Sequence, residues 1–185
     1  MNSGVKEIVG AVLAAVGTVI SALSVTPHLK LSDQLREGLD INGNVLQAVG
    51  NGLQAEGQGD FSLEKVGNEI QSVGNSLTIA GLIWDVSDSK KLNLIATGNW
   101  FQALGSLAAF ADELEDASAE GKGLILIGNL LQGIGNSLQA LAAKKEIILG
   151  EQLEIEELGV AGSWIQATGA VLSAIGQFKD ESDEK

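Results

Sequence analysis

The chain has 185 residues, 45% of them hydrophobic, with a single proline (Pro27) and no cysteine, which excludes general disorder, a disulfide framework and a thiolate metal site. A formal net charge of −13 argues against nucleic acid as a partner and disfavours anionic membrane surfaces, since both call for a basic patch. The length suits one domain over 1–185, and the lack of cysteine suits a cytoplasmic location.

Taken from the start, Lys6 and Glu7 precede an apolar run over 8–25. A secretory leader would need a positive first segment and a small-residue cleavage site. The run instead carries GAVLAAVGTV from Gly10, which five later segments repeat: GNVLQAVGNG from Gly43, GNEIQSVGNS from Gly67, GNWFQALGSL from Gly98, GNLLQGIGNS from Gly128 and GSWIQATGAV from Gly162. The repeat cores therefore occupy 10–19, 43–52, 67–76, 98–107, 128–137 and 162–171, at a period that leaves room for one helix and one turn each. Counting from the first glycine, offsets +3, +6 and +10 are mostly apolar (Ile70, Val73 and Leu77 in the third copy), a helical spacing. The pattern predicts an all-α fold, a six-helix bundle or array. Connectors are expected near 25–32, 58–62, 85–89, 117–122 and 144–150, with Ser32, Ser62, Ser89 and Ser118 as N-caps. A charged, frayed tail is expected over 179–185.

One stripe of each helix carries a glycine pair seven residues apart: Gly10 and Gly17, Gly43 and Gly50, Gly67 and Gly74, Gly98 and Gly105, Gly128 and Gly135, Gly162 and Gly169. Each glycine costs about 0.8–1 kcal/mol relative to alanine inside a helix. Close helix approach is the simplest offset, so these residues form the expected helix-packing stripe. Gln47, Gln71, Gln102, Gln132 and Gln166 stand between the glycines, with Ala14 in their place in the first copy. Buried between close helices, the amides would have to be hydrogen-bonded, which favours cross-helix bonds that fix register. An exposed polar stripe and a ligand or water cavity are the other readings. The asparagines at +1 and +8, such as Asn44, Asn51, Asn68, Asn75, Asn129 and Asn136, are expected on a solvated outer face. Trp84, Trp100, Phe101, Phe110, Trp164 and Phe178 are expected to fill the core.

Chemistry finds little support. His28 is the only histidine and sits beside Pro27 in a connector. No phosphate loop, zinc signature or calcium loop occurs, and DINGN at Asp40 lacks the later acidic ligands. Acidic runs at Asp112, Glu113, Glu115 and Asp116 and at Glu151, Glu154, Glu156 and Glu157 read as solvated helix ends. No catalytic residue, cofactor or metal site is assigned, and the chain is not expected to be an enzyme. Self-association is the expected partnership. Uncharged runs over 92–111, 123–143 and 158–178 approach the ~20 residues that span a bilayer. Their amides, and six basic residues at one end of an up-and-down bundle against five at the other, count against a membrane.

The copies GNVLQAVGNGLQAEG and GSWIQATGAVLSAIG, through the core G-[NS]-x-x-Q-x-x-G, resemble repetitive proteins of unknown function from Bacillus-type spore-forming bacteria. That resemblance implies no activity, substrate or catalytic residue. The sequence thus points to a structural or self-associating helical repeat protein, with a membrane-interacting or pore-forming helical protein as the alternative.

Overall fold

The computed structural model describes residues 1–114 and 121–183. The first three α-helices start at side chains that accept otherwise orphan N–H groups. Asn2 accepts from Val5 at 2.9 Å and opens α1 (Ser3–Ser24). Ser32 opens α2 (Asp33–Gly57), and Ser62, accepting from Lys65 at 3.0 Å, opens α3 (Leu63–Ile83). The helices α4 (Asp88–Glu113), α5 (Lys122–Leu149) and α6 (Leu153–Asp183) follow. Between α1 and α2, a 3-10 turn over Pro27–Leu29 exposes His28, and Arg36 donates to the carbonyls of Ser24 (2.6 Å) and Thr26 (3.3 Å), closing the end of α1.

The bundle is all-α, and three expected boundaries shift. Ser87, not Ser89, precedes α4. The segment 144–149 continues α5, whose end is set by Gly150 at φ +76°, a conformation open to glycine. The chain over 179–183 remains helical, because nothing in KDESD breaks the run. Ser118 lies outside the described residues.

Three antiparallel hairpins, α1/α2, α3/α4 and α5/α6, make the most extensive contacts, and α2/α3, α4/α5 and α1/α6 join them into a closed ring. All three hairpins use one register, in which the first glycine of one helix meets the second of its partner. Gly10 faces Gly50 and Gly17 faces Gly43; Gly67 faces Gly105 and Gly74 faces Gly98; Gly128 faces Gly169 and Gly135 faces Gly162. A Cβ on any of the twelve would lie under 3.0 Å from the facing glycine's carbonyl oxygen. The missing side chains are what let the backbones touch, as in close-packed membrane helices.

Burial runs opposite to that of a water-soluble bundle. The buried apolar residues are alanines apart from Ile125 and Ile155, and the largest fully buried side chains are Asn75, Asn136, Ser24 and Ser106. The expected solvated asparagines are inside: Asn44, Asn51, Asn68, Asn75, Asn129 and Asn136 are all buried. With two glycines on one stripe, only small and amide side chains fit next to it, so +1 and +8 turn inward. The large apolar residues are displaced outward. Val16, Val49, Val73, Leu104 and Ile134, all at +6, are exposed. The aromatic core is likewise corrected, since Trp84, Trp100, Phe101, Trp164 and Phe178 are exposed and Phe110 is half-buried.

Candidate functional site

The stripe at +4 converges on the ring's axis in two levels. Gln47, Gln102 and Gln166, one from each hairpin, form the first. The Gln166 amide donates to Gln47 Oε1 (2.9 Å) and Gln102 Oε1 (3.3 Å), and its own Oε1 accepts from Gln139 Nε2 (2.8 Å). Gln47 and Gln102 donate in turn to Ser21 Oγ and Thr78 Oγ1, each at 3.4 Å. The second level holds Gln71, Gln132 and Ala14. Gln71 accepts from Ser106 (3.2 Å) and Gln132 donates to Ser173 (3.2 Å), while Ala14 borders a space of about 20 Å³ lined by both glutamines. That volume is enough for about one water molecule. The one copy that lacks glutamine therefore marks a gap in an otherwise regular polar axis.

Above the first level, a cavity of about 230 Å³ opens where α2, α4 and α6 begin. Its floor is Gln47, Gln102 and Gln166, and its walls include Asn44, Asn99, Leu92, Ile95 and Val160 together with the acids Asp40, Glu146 and Glu156. Asp40 accepts from Asn44 Nδ2 at 2.9 Å, and burial pushes its carboxyl up to about 6 against the hydrogen bonds of Ser21 and Asn44. Sequence reasoning missed the cavity residues Ser21, Thr78 and Gln139, which all occupy +11, two positions beyond the ten-residue core compared. A polar residue at +4, +8 and +11 is the signal that would have found them.

At the other end, Glu64 is half-buried among acids. Burial, then the charges of Glu113, Glu7, Asp112 and Asp180, push its carboxyl up to about 8. Asp112 also accepts from the Leu63 N–H at 3.1 Å, and Gln177 donates to Glu7 at 3.1 Å. Asp112 and Glu113 thus border the bundle's end, and Glu115 and Asp116 lie outside the described residues. Of the second acidic run, Glu156 reaches the cavity and Glu151, Glu154 and Glu157 are exposed. Among the described residues no group of three His, Cys, Asp or Glu could hold a metal ion.

The Asp40 and Glu64 carboxyls act in one direction. The folded state holds protons on them that the unfolded chain releases from pH ~4 upward, so the stability they contribute is fully present below pH ~4 and is lost as pH rises to about 6 for Asp40 and about 8 for Glu64. A melting series from pH 5 to pH 9 should show a falling Tm, worth on the order of a few kcal/mol in all. Glu64→Gln should flatten the alkaline part, and an unchanged slope in that variant would show that other groups set it.

A family model covers residues 5–174, and it describes a family of unknown function, DUF6944. The chain belongs to that family. No curated protein and no solved structure matches it. Three members of the ring, Ser3–Ser24, Lys122–Leu149 and Leu153–Asp180, are long and apolar enough to cross a membrane. Of the runs noted in the sequence, those of α5 and α6 fall within this set and that of α4 does not, whereas α1 joins it.

Proposed function

We propose that this protein is a membrane-embedded helical bundle with a polar axis, and assign it no catalytic step. The observation that carries the reading is the inverted burial: amides and glycines inside, valine, leucine, isoleucine and tryptophan outside. Every helix has an uncharged stretch, over 8–24, 41–55, 70–84, 92–111, 123–143 and 158–178, and the glycine register aligns them. At 1.5 Å per residue these are roughly 22–32 Å long, close to the ~30 Å hydrocarbon core. The amide content that weighs against a membrane in the bare sequence loses its force once the amides face one another, since polar residues in membranes face the bundle interior. The apolar helices α5, α6 and α1 are neighbours in the ring, which gives the exterior one continuous strongly apolar side.

Self-association is the second reading. It is favoured by α2, α3 and α4, which fall short of a spanning hydropathy, yet expose Val45, Val49, Val73, Trp100 and Leu104. Another copy would cover these in water. Fractionation separates the two. Membrane embedding predicts a carbonate-resistant pellet, extraction only by detergent, and quenching of Trp100 and Trp164 fluorescence by brominated lipid. A detergent-free soluble oligomer, unquenched by vesicles, would replace the first reading with the second.

A further inference from the structure

We propose that the axial cavity binds a small aliphatic ammonium ion of the linear diamine class, with one ammonium at the Asp40 level and the other at Glu146 and Glu156. The sign of the ligand follows from charge. Three carboxylates line the cavity, and no lysine, arginine or histidine does. Its chemistry follows from the walls. Leu92, Ile95 and Val160 line the cavity alongside the acids, a surface that suits a methylene chain and leaves a hydrated inorganic ion against apolar groups. The acids do not come together as a metal-ion group. The size follows from the volume, about 230 Å³, below the ~300–1,000 Å³ of sites for drug-sized ligands.

One further feature points the same way. The burial that raises the Asp40 carboxyl is also the condition that a neighbouring cation relieves.

The inference does not rest on the membrane reading, because binding can be measured on the full chain in detergent or in buffer. Calorimetric titration with 1,4-diaminobutane should show saturable binding with a stoichiometry near one, and 1,4-butanediol, which keeps the chain and loses the charge, should show none. Asp40→Asn should weaken the diamine by about tenfold or more, a difference of ~1.4 kcal/mol. Glu156→Gln, at an exposed position, should weaken it less and leave the fold intact, so it carries the test if Asp40→Asn does not fold. Absence of saturable binding, equal binding of the diol, or equal diamine affinity in the variants that fold would overturn the proposal; the last would mean screening of the net negative charge.

Discussion

Gly135→Ala is expected to destabilise the protein by about 1–3 kcal/mol, against the direction that helix propensity gives. Alanine is the better helix former by about 0.8–1 kcal/mol. The added Cβ, however, would meet the Gly162 carbonyl oxygen and the Gln166 backbone nitrogen, each at 2.5 Å. Backbone cannot rotate aside as a flexible side chain can, so α5 and α6 must separate and loosen the Gln166 bonds with them. Gly135→Leu should cost more. Gly38, on α2 with nothing within 4 Å of a Cβ, is the control, and Gly38→Ala should stabilise by up to about 1 kcal/mol. Paired melts of the two alanine variants check this: a stabilising Gly135→Ala would mean that the hairpins do not touch through their glycines.

Gln166→Leu is the second large effect. Gln166 holds together Gln47, Gln102 and Gln139, so its loss strands two amide oxygens and one N–H in a buried site. At about 1–3 kcal/mol for each buried unsatisfied group, the cost is on the order of 3 kcal/mol or more. Gln132→Leu should cost less, because the partners it leaves, Ser173 and Asn129, already bond each other at 3.4 Å. Denaturant unfolding of both variants gives the ranking. Equal and negligible losses would place both glutamines outside any buried network.

These effects also explain which parts of the molecule were legible in the sequence. Helix number and repeat boundaries follow from the 3-and-4 spacing and the serine caps, and both are read locally. The facing of the helices is not local. An apolar stripe over Ile70, Val73 and Leu77 looks the same whether it faces a core or an exterior, and the usual expectation of a water-soluble core placed Asn75 outside and Trp100 inside. The glycine pairs held the deciding information, because residues next to the closest backbone approach must be small or amide. The cavity was harder to read still. It needs Ser21, Asp40, Thr78 and Gln139, from four helices, and only the antiparallel register brings them to one level.

The ring has a further consequence for how the chain assembles. All of its extensive interfaces but one join helices that are consecutive in sequence, an arrangement of low contact order in which each hairpin can form as soon as it has been synthesised. The exception is the seam between α1 and α6. Across the gap between the first and third hairpins run the bonds from Gln166 to Gln47, Trp164 to Thr26 and Gln177 to Glu7, whose partners are 119, 138 and 170 residues apart. The first hairpin must therefore keep an open flank until the last helix arrives, and until then Gln47 lacks the donor that later ties it to the other two hairpins. Closure of the ring and completion of the glutamine level are one event, reserved for the end of synthesis.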